Sequence, residues 1–134
     1  MTISPSRSRG VTVYATYAVI LGTLGVVLNA TTPWLARRMG QAAAIQPLGV
    51  AIGVGLGVLL LAAGVGAVRL KPWGRWLALL TAVGHLLVLA RDYPVMMAAA
   101  VPVRIGYLTS GAIELVVLWF FTRPAVVAQF RRAP

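Results

Sequence analysis

The sequence predicts an all-α fold: one polytopic membrane domain built as a four-transmembrane-helix bundle, with both termini in the cytoplasm. Three observations carry this prediction. The composition is 60% hydrophobic and only 10% charged, which is far too apolar for a soluble domain of 134 residues. Four apolar segments approach the roughly twenty residues that cross a hydrocarbon core of about 30 Å. Lysine and arginine cluster at the ends of those segments, where membrane proteins meet lipid headgroups.

The first two transmembrane helices are predicted at about residues 11–30 and 47–68. The first is expected to end at residues 31–33, because the sequence Thr-Thr-Pro commonly breaks a helix. We interpret it as a retained helix and not as a signal peptide, since its apolar stretch exceeds a typical signal core. The connection 31–46 is predicted to hold a short interfacial helix, with Trp34 among the headgroups.

The last two helices are predicted at about residues 73–92 and 104–122. The third is short, because only fifteen uncharged residues separate Arg75 from Arg91. That stretch makes about 22 Å of helix, so both arginines are expected to extend toward the headgroups. No polar linker divides the chain, and residues 1–134 are therefore treated as one domain.

The distribution of basic residues predicts the orientation, because short cytoplasmic loops are enriched in lysine and arginine. Eight basic residues fall on the side that holds the termini, and four fall on the other side. The eight are Arg7, Arg9, Arg69, Lys71, Arg75, Arg123, Arg131 and Arg132, and the four are Arg37, Arg38, Arg91 and Arg104. The side with eight is predicted to be cytoplasmic, which places the protein in the bacterial cytoplasmic (inner) membrane as a multi-pass protein.

The net charge of +10 is predicted to serve lipid binding and not nucleic-acid binding. The basic residues sit at the ends of apolar segments and form no stripe with interleaved aromatics, so anionic headgroups are the expected partner. The headgroup ligands are predicted to be Arg69, Lys71, Arg75, Arg131 and Arg132. The tail after Arg123 is expected to lie along the inner leaflet, with Val126, Val127 and Phe130 in the interface.

Glycines are spaced for close helix packing in the first two segments. Small residues let helix backbones approach in lipid, where the hydrophobic effect does not drive helices together. The candidate packing residues are Gly22 and Gly25 in the first segment and Gly49, Gly53, Gly57 and Gly64 in the second. We expect these segments to form a tight hairpin, with a dimerisation surface as the alternative.

Glu114 is the most informative polar residue. It lies ten residues into the fourth segment, about 15 Å deep and near the midplane, where an acid commonly marks function. His85 lies at a similar depth in the third segment, so a direct or water-bridged pair is expected. Ser110 lies one turn from Glu114, on a small-residue face expected to pack inward, and Thr81 shares a face with His85.

Glu114 has two interpretations. It forms a hydrogen bond that holds two helices together, or it couples protons to transport. Asp92 is expected to form a surface ion pair with Arg91 or Arg104. No metal site or cofactor is predicted from a chain with no cysteine and one histidine. The alternative is a haem or chlorin bound by His85, because imidazole is the usual axial donor.

Two short strings resemble a known group of proteins. The string RLKPWGRWLALL (69–80) and the string TRPAVVAQF (122–130) are similar to the inner loop and tail of small bacterial four-helix membrane proteins. This resemblance implies the same topology and no particular activity.

Two functions from different classes are consistent with these features. The favoured hypothesis is a non-enzymatic accessory or structural subunit, packing against other membrane proteins or against itself, because glycine is abundant and no catalytic geometry is recognisable. The alternative is a small proton-coupled transporter or channel that uses Glu114.

Overall fold

The computed structural model describes residues 8–41 and 46–132, and nearly all of these are helical. Five helices follow one another: α1 (Arg9–Arg38), α2 (Pro47–Val68), α3 (Pro72–Ala98), α4 (Val101–Thr122) and α5 (Pro124–Arg132). The first four are long and apolar enough to cross a membrane, with mean hydropathies between 1.4 and 2.4. The predicted all-α chain with four such helices is therefore confirmed, and α5 is an addition to it.

Helix α1 does not end where the sequence predicted. It continues from residue 30 through Pro33 to Arg38, so the separate interfacial helix expected in 31–46 is wrong for the described residues, while 42–45 lie outside them. The hydroxyls of Thr31 and Thr32 donate to carbonyls one turn earlier, each at 2.8 Å. These hydroxyls bond to carbonyls other than that of Asn29, which is the one that loses its backbone donor at Pro33, and α1 nevertheless continues through the proline. In the same way α3 extends beyond residue 92 and includes Pro94.

Each long helix packs antiparallel beside the next one along the chain. We call the end where α1 begins and α4 finishes the closed end, because the buried core lies there. That core comprises Val11, Tyr14, Ala15, Ala18, Leu60, Ala63, Ala67, Leu70, Ala78, Ala82, Val117, Phe121, Val126 and Phe130. The opposite end, which we call the open end, exposes large apolar side chains such as Leu28, Trp34 and Leu48.

The turn between α2 and α3 brings two backbones into contact. Leu70 adopts a left-handed conformation with φ of 52°, which costs a non-glycine residue about 1 kcal/mol. Its side chain is buried in the core, which offsets that cost. Beyond the turn, Gly66 faces Gly74 so closely that a Cβ on Gly74 would lie 2.4 Å from the carbonyl carbon of Gly66.

Helix α5 folds back over the closed end. The ring of Phe130 is buried and lies 5.9 Å from the ring of Phe121. The Ser8 amide donates to Gln129 Oε1 at 3.1 Å, which ties the start of α1 to α5. Val126 and Phe130 are therefore buried in protein, and not in the membrane interface as the sequence suggested, because Phe121 offers them an apolar surface.

Candidate functional site: a polar cavity at the open end

A cavity of about 600 Å³ opens between the long helices in the half of the bundle away from the core. Each of α1 to α4 contributes to its lining, and the apolar part of the walls consists of leucine, isoleucine, valine and glycine. The polar lining residues are Tyr17, Asn29, His85, Arg91, Asp92, Ser110 and Glu114. A second cleft of about 570 Å³ lies between α1 and α4 and is lined by apolar and aromatic residues, with Thr109 among them.

His85 and Glu114 meet inside the cavity. Nδ1 of His85 on α3 lies 2.9 Å from Oε1 of Glu114 on α4. The histidine side chain is 29% exposed, and the glutamate side chain is 9% exposed. One proton lies between the two atoms: the imidazole N–H donates to the carboxylate, or a protonated carboxyl donates to Nδ1. The pair can therefore hold or exchange a proton without rearrangement of the helices.

Two tyrosines of α1 lie near Glu114. The hydroxyls of Tyr14 and Tyr17 both interact electrostatically with the Glu114 carboxylate. The Tyr14 ring packs edge-on against Phe121, with centroids 4.6 Å apart, and so belongs to the buried core of the closed end. Its hydroxyl is the only buried side-chain polar atom without a hydrogen-bond partner in the part of the chain that the structure describes.

Thr81 lies one turn from His85 but does not reach the cavity. Its side chain is buried at 1% exposure, and its hydroxyl donates to the Leu77 carbonyl of its own helix at 2.7 Å. Its donor is satisfied within α3. Thr81 is thus part of the core beneath the His85–Glu114 pair.

The open-end rim of the cavity is polar. Arg91 Nε donates to Asp92 Oδ1 at 2.8 Å, and this is the ion pair that the structure places there. Among the described residues Arg104 takes no part in an ion pair with Asp92. The Tyr107 hydroxyl donates to the Leu89 carbonyl and joins α4 to α3 near the same rim.

Ser110 and its small-residue face do not pack against another helix. Ser110 and Gly106 are exposed, and no atom lies within 4 Å of a Cβ placed on Gly106. The expectation of inward packing is wrong for these two residues, because Gly106 faces open space and Ser110 lines the cavity. Ser110 instead lines the cavity, where its hydroxyl donates to the Gly106 carbonyl at 2.9 Å.

The candidate packing glycines of α1 and α2 meet along one contact. A Cβ on Gly22 would lie 2.6 Å from the Leu61 amide nitrogen, and one on Gly64 would lie 3.0 Å from the Val19 amide nitrogen. Gly57 packs against Val26 and lies near Gly25. Gly53 faces the side chain of Asn29, whereas Gly49 meets only Gln46 of its own segment.

The predicted headgroup ligands occupy different surroundings. Arg75 Nε donates to the Phe121 carbonyl at 2.9 Å, so this guanidinium binds the last turn of α4. Arg69 and Arg131 are exposed, and Lys71 is half-buried. The side chain of Arg132 and all of Arg7 lie outside the described residues.

Sequence reasoning missed three contributors to this site. Tyr14 and Tyr17 lie three residues apart on α1, a spacing that places both on one helix face. Asn29 is an amide within an otherwise apolar helix, which is a comparable signal to that of Glu114. These two patterns could have identified the residues without a structure.

The side chains available as metal ligands limit metal and haem binding. No group of three His, Cys, Asp or Glu side chains gathers within residues 8–41 and 46–132. Nδ1 of His85 is engaged by Glu114, so only Nε2 could bind the metal of a haem or chlorin.

No protein family matches this chain, and no curated protein or solved structure matches it either.

Proposed function

We propose that this chain is a four-span protein of the bacterial inner membrane and acts as a small proton-coupled transporter. The observation that supports this most is the contact of 2.9 Å between a carboxylate and an imidazole inside a cavity shared by all four long helices. An acid within a membrane helix is costly and commonly serves proton or substrate coupling.

The proposed coupling rests on competition for Glu114. A proton on the carboxyl group neutralises it, whereas a bound cationic solute requires the ionised form. His85 accepts the proton that leaves and can return it, because its partly exposed ring lines the cavity. Burial of the aromatic residues at the closed end favours a transporter over an open channel, since the rings of Phe121 and Phe130 are fully buried there among the described residues.

The accessory-subunit hypothesis has less support from the geometry, although it stays a prediction. Its main motivation was the abundance of glycine, and Gly22, Gly57 and Gly64 are used in the contact between α1 and α2. Those three glycines are therefore occupied within one chain.

A flux assay on reconstituted vesicles tests the transport proposal. Vesicles that enclose a pH-sensitive dye, with protein-free vesicles as the baseline, would receive an imposed gradient of Na⁺, K⁺ or a primary alkylammonium ion. At least one gradient should drive protons in the opposite direction. Glu114→Gln should abolish this flux, because the amide cannot exchange a proton.

The matched control is Thr23→Val on the exposed surface of α1, where the hydroxyl bonds only to the Val19 carbonyl of its own helix. This variant should transport like the parent protein. Both variants should retain helicity and elute as single species in detergent. Absence of proton flux with all three cations, or equal flux in Glu114→Gln, contradicts the proposal.

The proposed orientation places the closed end in the cytoplasm. The excess of basic residues near the termini and the α2–α3 turn supports this, since short loops follow the positive-inside rule. The cavity then faces the periplasm. A C-terminal fusion to green fluorescent protein should fluoresce, and a C-terminal alkaline phosphatase fusion should be inactive. The opposite pattern would overturn the orientation.

A further inference from the structure

The two acidic side chains of the chain line the same cavity. The sequence has twelve lysines and arginines and only two acids, Asp92 and Glu114. These acids are separated by 22 positions on different helices, yet both face the one cavity. Of the described basic side chains only Arg91 lines it, and Arg91 is paired with Asp92. With neutral His85, the ionised Glu114 gives the cavity a net negative charge inside a strongly basic protein.

Several polar side chains of the cavity already donate a hydrogen bond to another group of the protein. Asn29 Nδ2 donates to the Gly25 carbonyl at 2.8 Å, which leaves Oδ1 as an acceptor. The Ser110 hydroxyl donates to the Gly106 carbonyl, so its oxygen can still accept. Asp92 accepts from Arg91 through one carboxylate oxygen and retains the other. The cavity is thus rich in acceptors, and a fitting solute supplies donors.

The walls of the cavity determine the size of the solute and the polarity of the part that lies away from Glu114. They are formed by apolar side chains that include Leu21, Leu24, Leu28, Ile52, Leu56 and Leu89. A volume of about 600 Å³ lies in the range of pockets that hold small organic ligands, not single hydrated ions. An apolar body is therefore accommodated beside the charged group.

From this geometry we propose that the cavity binds a monovalent organic ammonium ion with an apolar body, whose N–H group donates to the Glu114 carboxylate. The inference rests on the proposed function, because it names the solute class of the same cavity. Binding requires ionised Glu114, so a proton held there leaves by way of His85 as the ammonium enters. The other groups facing Glu114 are Tyr14 and Tyr17 of α1, and α2 contributes no titratable side chain.

Three probes that share one apolar body test the proposal: 4-phenylbutylammonium, 4-phenylbutanol and 4-phenylbutyrate. The full chain would be placed in discs of zwitterionic lipid, and binding would be measured by calorimetry. Empty discs of the same lipid correct for partition into the bilayer. The ammonium should bind at least about tenfold more tightly than the alcohol, and the carboxylate should bind most weakly.

Two variants assign the preference to its source. Glu114→Gln should reduce the ammonium-to-alcohol ratio to about one, while leaving alcohol binding within about twofold. Asp92→Asn should weaken ammonium binding by a smaller factor, because Asp92 is already paired at the rim. Equal affinities for the three probes, a preference for the carboxylate, or an unchanged preference in Glu114→Gln would each overturn the proposal.

The binding assay separates this inference from the proposed transport. Binding is measured without a membrane gradient, so ammonium binding without proton flux in vesicles supports the site and contradicts the transporter. Proton flux driven by Na⁺ or K⁺, with no preference for the ammonium probe, supports the transporter and overturns the solute class.

Discussion

The closed end and the open end are built from the same four helices but pack in opposite ways. At the closed end, alanines such as Ala15, Ala18 and Ala63 are buried, and aromatic rings fill the centre. Along α1 toward the open end, leucines such as Leu24 and Leu28 replace these small residues. Small side chains let the backbones approach at the closed end, whereas Leu24 and Leu28 are exposed and fill no space between helices. The buried core therefore lies at the closed end, and the polar groups of the cavity lie away from it.

The largest expected difference between the ends concerns Phe121. Phe121→Ala removes a fully buried ring that contacts the rings of Tyr14, Phe120 and Phe130. We expect a loss of about 3 kcal/mol in the free energy of unfolding, because the vacated space lies between helices that cannot collapse fully. Titration of the purified protein from mild detergent into dodecyl sulfate, followed by circular dichroism, measures this loss.

The matched substitution at the open end is Leu28→Ala, at a side chain that is 61% exposed. It should change the same free energy by less than about 0.5 kcal/mol. Equal losses for the two variants would mean that the open end is packed in solution, and the contrast in burial between the two ends would be wrong.

A somewhat smaller effect is expected where α2 meets α3. Gly74→Ala would place a Cβ 2.4 to 2.7 Å from backbone atoms of Gly66 and Ala67, which cannot move aside as a flexible side chain could. We expect a loss of about 2 kcal/mol in the free energy of unfolding. The same dodecyl sulfate titration measures it.

Gly55→Ala is the control for that variant, because no atom lies within 4 Å of a Cβ at Gly55. Alanine favours a helix over glycine by about 1 kcal/mol, so this change should be neutral or stabilising. A neutral Gly74→Ala would show that the helices can separate at the closed end and would weaken the contrast between the ends.

The sequence predicted the helices better than it predicted their ends. Apolar length alone identified all four long helices, since lipid requires about twenty apolar residues per span. It misplaced the end of α1, because Pro33 is a helix breaker by local rules, whereas long apolar helices of the membrane type tolerate an internal proline. The spacing of Gly22, Gly57 and Gly64 correctly predicted the contact between α1 and α2, because that contact depends only on two helices that are neighbours along the chain.

The sequence predicted a contact in the site only where the depth of the two residues along their helices decided whether they could meet. Counting residues from the helix ends put His85 and Glu114 at similar depths, and the structure places them 2.9 Å apart. The Gly66–Gly74 contact was not predictable from spacing, because it depends on the left-handed turn at Leu70. The role of Arg75 was also hidden, since its partner is a backbone carbonyl 46 positions away.

A weaker contact holds α5 to the closed end. Gln129→Ala removes the acceptor for the Ser8 amide and should lower the local stability of α5 by about 1 kcal/mol. Amide hydrogen exchange within α5 should rise by roughly fivefold, with little change in α2. Gln129→Glu retains the acceptor oxygen and should exchange like the parent. Unchanged exchange in Gln129→Ala would show that the buried rings of Phe121 and Phe130 alone hold α5.

The smallest expected effect lies at the boundary between the two ends, at the hydroxyl of Tyr14. This hydroxyl is buried without a hydrogen-bond partner among the described residues, and such a group costs free energy in the folded state. Tyr14→Phe retains the ring that packs on Phe121 and removes only the unpartnered oxygen. The free energy of unfolding should therefore stay equal or rise by up to about 1 kcal/mol. Tyr17→Phe, at a half-buried ring that lines the cavity, is the comparison and should be neutral.

A loss of stability in Tyr14→Phe would mean that its hydroxyl has a partner, and Glu114 is a charged group that acts on this hydroxyl. Water would then reach past the His85–Glu114 pair toward Phe121, and the boundary between a dry closed end and a polar open end would move by one helical turn. The flux assay distinguishes the two cases, because a hydroxyl without a partner cannot relay a proton. Unchanged flux in Tyr14→Phe places the end of the proton path at Glu114, whereas reduced flux extends it to Tyr14.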